Sequence, residues 1–136
     1  MDTAKVCVDT DIVIDYLRGR NKNEGILPEL IAKHNVYISP VSIYELYYGG
    51  YYSGKVTPVD DVLAMITPFD WTAEDARKAA QIHAALSKSG ETLTIKDVFI
   101  AGLCLSRTVP LVTRNVSHFN KVRGLKVIDG TKYLIR

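Results

Sequence analysis

The sequence has few cysteines, no long apolar run and no recognisable signal peptide. It contains two cysteines among 136 residues, Cys7 and Cys104, and both fall among apolar neighbours without the spacing of a metal site. No apolar run reaches the roughly 20 residues of a membrane span, and the charged, interrupted N-terminal segment does not fit a signal peptide. We therefore expect no disulfide framework and no membrane anchor, and we interpret both cysteines as buried free thiols of a cytoplasmic protein.

The charge is nearly balanced overall but unevenly distributed. The formal net charge is +2. Residues 91–136 hold 8 Lys/Arg against 3 Asp/Glu, whereas residues 1–90 hold 9 against 12. A basic C-terminal third beside acidic positions suits a polyanionic substrate that approaches a metal-loaded site. A merely solvated surface is the alternative, and the sequence leaves both open.

Strand and helix patterns alternate along the chain. With 47% hydrophobic and 24% charged residues, the chain has the composition of one globular domain over residues 1–136. The alternation predicts an α/β fold with a parallel, doubly wound sheet and helices on both faces. The predicted strands are Lys5–Val8, Val36–Ile38, Ile66–Phe69, Pro110–Thr113 and Leu125–Ile128. The predicted helices lie near Asp11–Arg18, Leu27–His34, Val41–Tyr48, Thr72–Lys88 and Ile95–Arg107, with a turn over Asn21–Gly25 and a Gly/Tyr-rich connection over Gly49–Pro58.

One acid stands where the first predicted strand ends. The β-branched run stops at Asp9, and an apolar pattern of helical spacing that includes Ile12 and Tyr16 follows at once. Ligands of an open parallel sheet bind at the carboxyl ends of its strands, so Asp9 lies at the mouth of a candidate site. Asp9 and Thr10 are also good N-cap residues, and a purely structural role stays open for them.

Two further acids occupy predicted helices. Glu45 lies nearly two turns into the helix that Ser39 and Pro40 begin, out of reach of a capping role. Its neighbours are apolar, and a buried carboxylate needs a partner. No basic residue lies at helical spacing from Glu45, so that partner comes from elsewhere in the chain or is a metal ion. Asp97 stands third after Thr94, where an acid also suits a helix cap and the helix dipole.

Carboxylates from separate elements are what a hard divalent cation requires. Mg²⁺ and Mn²⁺ prefer oxygen ligands and keep several waters. Asp9, Glu45 and Asp97 are the acids that such a centre would use. The residues alone do not decide between a metal centre and the capping roles.

Four segments carry a further signal: Val8–Gly19, Ser39–Leu46, Lys96–Ala101 and Leu111–Phe119. In these segments the chain resembles a PIN domain and, within that family, the VapC toxins of toxin–antitoxin pairs. The resemblance runs from about Val6 to Ile128, with the four segments in family order. The resemblance implies a PIN-like three-layer fold, with a parallel central sheet of about five strands between helices.

The resemblance also implies a metal-dependent endoribonuclease. Asp9, Glu45 and Asp97 match the family's three core acids and would hold Mg²⁺ or Mn²⁺. Where many members have a fourth acid, this chain has Asn115. Asn is neutral and a weaker ligand, so we expect one bound ion before RNA arrives.

Weaker candidates surround these acids. Thr10 and Thr113 would orient the carboxylates through their hydroxyls. Asp11 and Asp15 are one helical turn apart and are expected on a solvated face, with support of the metal ligands as the less favoured role of Asp15. His118 is expected to pack at a strand–helix junction rather than to act as an acid.

The resemblance implies several partners: an RNA substrate, a second copy in a homodimer, and a small DNA-binding antitoxin in a larger hetero-oligomer, with no membrane. A tyrosine cluster is interpreted as partner surface, because aromatic residues are enriched at interfaces. Stacking of these rings on RNA bases is the alternative. The cluster comprises Tyr44, Tyr47, Tyr48, Tyr51 and Tyr52.

Two other functions compete with the nuclease. Asp9, Thr10 and Asp11 also fit the Asp-x-Asp motif of haloacid-dehalogenase-like phosphatases, but that interpretation leaves Glu45 unexplained and offers only Asp129 as a later acid. The other alternative is a non-catalytic PIN-like module that binds RNA or a protein. The presence of all three core acids favours the nuclease.

Overall fold

In residues 4–19, 22 and 25–134, which a computed structural model describes, a five-stranded parallel sheet forms the centre of the molecule. The strands are β1 (Lys5–Val8), β2 (Asn35–Ile38), β3 (Thr67–Pro68), β4 (Leu111–Thr113) and β5 (Val127–Asp129). Their order is β3-β2-β1-β4-β5, and every pairing is parallel. β1 is therefore central, and the chain passes from one side of it to the other between β3 and β4.

Helices cover both faces of the sheet. Because successive strand residues point to opposite faces, Cys7 belongs to one core, while Val6 and Val8 belong to the other. The expected three-layer α/β arrangement is confirmed. No helix among the described residues is both long and apolar enough to cross a bilayer. The helices are α1 (Thr10–Arg18), α2 (Ile26–Lys33), α3 (Pro40–Ser53), α4 (Val56–Leu63), α5 (Ala73–Lys88), α6 (Ile95–Arg107), α7 (Val116–Phe119) and a 3-10 helix (Gly130–Tyr133).

The segment predicted as a Gly/Tyr-rich connection over Gly49–Pro58 is mostly helical, so that prediction is wrong. α3 continues to Ser53, and Gly54 then adopts the left-handed conformation with φ 73° before α4 begins. Gly50 lies inside α3 because α4 approaches it closely: a Cβ there would be 3.1 Å from the Val59 side chain. A glycine that serves helix packing was mistaken for a glycine that serves a turn.

Helix α4 was also missed, because its first residues were assigned to that connection. The strand predicted over Ile66–Phe69 pairs only over Thr67–Pro68, and the one predicted over Leu125–Ile128 is displaced to Val127–Asp129. α7 and the 3-10 helix were not predicted, since four residues are too few to show a helical period. Most of the turn predicted over Asn21–Gly25 lies outside the described residues.

The carboxyl ends of β1 and β4 meet where the strand order reverses. Val8 of β1 pairs with Val112 of β4, and the Asp9 N–H donates to the Val112 carbonyl at 2.9 Å. Asp9 follows β1 directly, and Thr113 ends β4. Sheets of this kind bind ligands at such a point, so the fold brings Asp9 and Thr113 to the expected edge.

A buried ion pair joins α5 to α6. Asp75 at the start of α5 is fully buried, and Arg107 at the end of α6 donates to both of its carboxylate oxygens, at 3.1 and 2.9 Å. Burial alone would raise the pKa of Asp75, but the hydrogen bonds from Arg107 and from the Thr72 N–H outweigh it and hold that pKa at about 2. The pair is therefore ionised at neutral pH and fixes the two helix ends together.

The same two helices approach closely in the middle, and Gly102→Ala should therefore destabilise the fold. A Cβ at Gly102 would lie 2.7 Å from the Ala79 Cα, a backbone atom that cannot move alone. The expected loss is about 1–3 kcal/mol, as for other overpacked cores. Urea unfolding followed by circular dichroism measures it.

Gly49→Ala is the matched control in α3, where a Cβ would meet nothing within 4 Å. It should raise stability by about 0.5–1 kcal/mol, because Ala favours the helix over Gly. Equal stability of Gly102→Ala and the wild type would contradict the close approach of α5 and α6.

Candidate active site

Asp9 caps α1 and at the same time lies inside the candidate site. Its Oδ1 accepts the Thr10 N–H at 2.8 Å, and its Oδ2 accepts the Thr113 hydroxyl at 2.8 Å. The residue is only 6% exposed. The two interpretations that the sequence left open are therefore compatible: the cap holds the carboxylate at the end of β1.

Burial and neighbouring acids raise the pKa of Asp9 to about 7. Loss of hydration is the largest cause, followed by repulsion from Asp11. The hydrogen bonds from Thr113 and the Thr10 N–H lower that pKa but do not compensate, and the charge of Asp97 raises it further. Asp11 and Asp97 thus both lie near enough to Asp9 to repel its charge.

Asp11 was expected on a solvated face, and this prediction is wrong. Its Oδ2 accepts the Arg114 N–H at 3.1 Å and lies 3.3 Å from the Thr113 hydroxyl. Its Oδ1 is buried and has no hydrogen-bond partner within the described part of the chain. Burial raises the pKa of Asp11 despite these bonds. The sequence carries one signal for this placement of Asp11. Asp11 lies in the first turn of the helix that Asp9 caps, and that turn begins at the mouth of the site.

Glu45 reaches the site from α3. The Thr10 hydroxyl lies 2.8 Å from both Glu45 Oε1 and Ser42 Oγ. A carboxylate only accepts, so Thr10 donates its single proton to Glu45 and accepts from Ser42. The charge partner of Glu45 is Lys96 of α6, whose Nζ is 3.4 Å from Oε2. This partner comes from a distant part of the chain, where helical spacing could not show it.

Asp97 lies in the first turn of α6, but its carboxylate does not close that helix end. The Thr94 hydroxyl caps α6 by accepting the Asp97 N–H at 3.3 Å. The Asp97 Oδ2 contacts instead the Nε2 of His118 at 2.8 Å. His118 does lie just after β4, as expected, but in the unpredicted helix α7, which directs its ring at Asp97.

The remaining candidates lie at the rim. Asp15 forms an ion pair with Arg114 at 2.7 Å. Asn115 is exposed, and its N–H donates to the Thr113 hydroxyl oxygen at 3.0 Å. Thr113 therefore receives one bond from Asn115 and gives its proton to the acids, as a residue that orients carboxylates would.

The donor chemistry of this edge fits a hard divalent cation. Among the described residues, no three Asp, Glu, His or Cys side chains are close enough as placed to hold an ion together. However, the donors are carboxylate oxygens, Asp9 and Asp11 repel each other, and Asp11 Oδ1 has no partner. Oxygen ligands with excess negative charge are what Mg²⁺ and Mn²⁺ prefer.

Without metal, the fold should become more stable as pH falls from 8 to 6. Asp9 titrates at about 7 in the folded chain, above its value of 3.8 when unfolded, so the folded state takes up its proton first. Protonation through that range therefore stabilises the fold by on the order of 1 kcal/mol, or a few degrees in Tm. Thermal melting in chelator measures the gain.

Asp9→Asn removes this titration and keeps the cap, because Asn caps a helix as well as Asp. Its Tm at pH 8 should equal or exceed that of the wild type, and its gain at pH 6 should shrink. Asp61→Asn removes an exposed carboxylate of α4 and should keep the wild-type gain. Parallel curves for wild type and Asp9→Asn would contradict the raised pKa.

Comparison with known proteins places this fold in a family. The PIN domain profile matches residues 6–125. Ribonuclease VapC2 of Haemophilus influenzae is 28% identical over 131 residues, which cover 90% of this chain and 95% of that protein. The tRNA(fMet)-specific endonuclease VapC of Shigella flexneri is 29% identical over 130 residues, covering 92% and 97%. The crystal structure of DNA-bound VapBC from Salmonella typhimurium has a TM-score of 0.85 at 23% identity, covering 93% of this chain and 98% of that chain. The resemblance drawn from the sequence is thereby confirmed, and the chain belongs to the PIN domain family.

Proposed function

We propose that this protein is a metal-dependent endoribonuclease that acts as the toxin of a toxin–antitoxin pair. The observation that carries the proposal is the buried Asp9 at the switch point of a PIN fold, with Asp11 and Asp97 near enough to repel its charge. The similar proteins named as VapC ribonucleases and endonucleases support it. The two buried free thiols, Cys7 and Cys104, fit a cytoplasmic protein.

Asp9, Glu45 and Asp97 would hold Mg²⁺ or Mn²⁺, and Asp11 would add its negative charge beside Asp9. When bound, the ion would neutralise charge on the phosphoryl oxygens and make a water more acidic, so that the phosphodiester bond is hydrolysed. The neutral side chain of Asn115 adds no charge to this group, which favours a single ion.

The surrounding residues position the acids. Thr113 fixes the Asp9 carboxylate, and Thr10 fixes Glu45 while its own N–H holds Asp9. Lys96 and His118 hold Glu45 and Asp97 in place through charge and hydrogen bonding. Lys96 already offsets part of the Glu45 charge, so a cation held by Glu45 would have to compete with Lys96.

Asp9→Asn, Glu45→Gln and Asp97→Asn should each abolish RNA cleavage while the fold survives. Each removes one charge from a shared centre, so double variants should be no worse than single ones. Asp11→Asn should also reduce cleavage. Thr113→Val, which removes the hydroxyl that orients Asp9 and Asp11, should cost about 10–100-fold. Incubation of total RNA with Mg²⁺ or Mn²⁺, with and without chelator, measures these effects.

Asp61→Asn serves as the matched control and should cleave like the wild type, since its carboxylate is exposed on α4. Asn115→Ala should do less damage than any of the three acids. A core-acid variant that cleaves normally would remove that residue from the site. Cleavage that survives chelation would refute the metal dependence, and RNA binding without cleavage would favour the non-catalytic module. PIN family membership leaves the phosphatase interpretation without support.

The partners of the toxin are proposed from two surfaces. VapBC complexes are among the solved structures similar to this chain, some of them bound to DNA. We propose that a small DNA-binding antitoxin occupies the groove between α1, α3 and α4, which has a volume of about 590 Å³ and reaches Glu45. A larger hetero-oligomer would follow from dimers of both proteins.

The second surface is a row of tyrosines on α3. Tyr44, Tyr48 and Tyr52 are 62%, 62% and 85% exposed, and neighbouring rings lie 6.3 and 6.2 Å apart. Residues four apart share one helix face, so these rings form a continuous apolar strip. No Lys or Arg occurs in α3, which disfavours RNA and favours a second copy of the chain on this strip.

Tyr48→Ser with Tyr52→Ser should weaken the homodimer, because both rings lie in the strip. We expect the dimer Kd to rise roughly tenfold or more, as for aromatic residues at the centre of an interface. Tyr51→Ser is the control on the same helix, since Tyr51 is 72% exposed but pairs with Tyr47 outside the strip. Sedimentation equilibrium measures all three proteins, and a monomeric wild type would refute the proposal.

A further inference from the structure

A second groove, on the other side of the sheet, has no role in the site described so far. It has a volume of about 420 Å³ and lies between α5 and residues 120–124, which follow α7. Along α5 it extends from Lys78 to Ser89, or about 16 Å at the helical rise per residue. Its polar lining consists of Lys78, Gln81, Ser89, Lys121 and Arg123.

The charges that line this groove are all positive. The two acids of α5, Glu74 and Asp75, lie in its first turn and pair with Arg77 and Arg107. Within the described residues, no ion pair joins an acid to Lys78, Lys121 or Arg123. Glu91, just beyond the end of α5, is the nearest acid along the chain but does not line the groove. An anionic ligand is therefore the electrostatic complement of this surface.

The apolar floor offers little to a hydrophobic ligand. Ile82, Leu86 and Val122 are only 7%, 5% and 4% exposed, because they are already part of the core under α5. These three side chains would add little apolar burial to a bound peptide, whose apolar anchors would have only Ala85 and the half-buried Leu105 to cover. Among the residues that the structure describes, no aromatic ring lines the groove for bases to stack on. The groove is therefore better suited to the charged backbone of a ligand than to apolar side chains or stacked bases.

The groove is joined to the candidate active site by the segment that follows β4. That segment carries His118, which contacts Asp97, and three residues later Lys121, which lines the groove. Lys121 also donates to the Thr92 carbonyl at 3.0 Å, in the loop that leads into α6 and Asp97. An RNA backbone that runs from the carboxylates across α7 would reach Lys121 before the other basic residues of the groove.

We propose that this groove binds the phosphate backbone of the RNA substrate at a distance from the bond that is cut. The proposal rests on the proposed nuclease function and defines its substrate class: an RNA long enough to reach both places and held there by charge, without base recognition. Phosphate contacts fix the register of a nucleic acid but do not read its sequence.

The test is RNA binding in chelator by the Asp97→Asn protein, so that no cleavage occurs. The probe is a fluorescent, mixed-sequence RNA of 30 nucleotides, titrated over a series of salt concentrations. The groove variant adds Lys78→Gln, Lys121→Gln and Arg123→Gln. The slope of log K against log salt is negative, and each lost phosphate contact should make it less steep by about 0.7 to 1. The slope of the triple variant should therefore be less steep by about 2 to 3.

The matched control adds Lys5→Gln, Lys33→Gln and Lys132→Gln, which remove the same charge from exposed positions outside the groove. This control should keep the same slope of log K against log salt as the Asp97→Asn protein. An equal loss in both variants would show a net-charge effect and overturn the proposal, as would no loss in the groove variant. Lys78→Gln alone leaves the Lys121–Thr92 contact intact and should show about one third of the slope change of the triple variant. This single variant tests the groove even if the triple variant misfolds.

Two further arms separate the remaining explanations. If a polyglutamate peptide binds with the same dependence on Lys78, Lys121 and Arg123, the groove serves an acidic protein and the RNA proposal is overturned. The catalytic proposal is tested independently by cleavage of the same RNA with Mn²⁺. Cleavage by the wild type together with an unchanged slope in the groove variant would refute only the groove, whereas groove-dependent binding without cleavage would refute only the nuclease.

Discussion

The clustering of buried and half-buried carboxylates at one edge of the sheet constrains the rest of this molecule. Asp9 is almost inaccessible, Asp11 keeps one oxygen without a partner, and Asp97 is close enough to raise the pKa of Asp9. Hydroxyl and backbone donors, such as that of Thr113, satisfy some of these oxygens but bring no full positive charge. The fold therefore tolerates an electrostatic repulsion that apolar side chains at these positions would avoid. Such unfavourable charge arrangements are usual at functional sites.

The sheet topology explains how acids from distant parts of the chain converge. β1 and β4 are neighbours although more than 100 residues separate them, and the crossover places α1 and α7 at the same edge. Each acid is then fixed by a partner from another element: Asp9 by Thr113, and Glu45 by Thr10. Because these hydrogen bonds connect elements rather than neighbours in sequence, the site forms only when the sheet and both helix layers are complete.

Local chemistry made much of this arrangement predictable. The strands β1, β2 and β4, the caps at Ser39 and Thr94 and the position of Asp9 all follow from residues within a few places of one another, and the structure confirms them. The contact of Lys96 with Glu45 could not be foreseen, since it joins α3 to α6 across the fold. The helix that directs His118 at Asp97 has only four residues and shows no period. Burial of Asp11 likewise depends on β4, which no helical pattern contains.

Helix α3 combines two tasks on separate faces. Glu45 points into the site, whereas Tyr44, Tyr48 and Tyr52 share an exposed row. Because residues four apart stay in phase, this row can change its composition without rotating the helix or displacing the carboxylate. Selection for new associations and selection for an intact reaction centre therefore act on different residues of the same element. A lineage of such proteins is free to diversify its contacts while the chemistry is inherited unchanged.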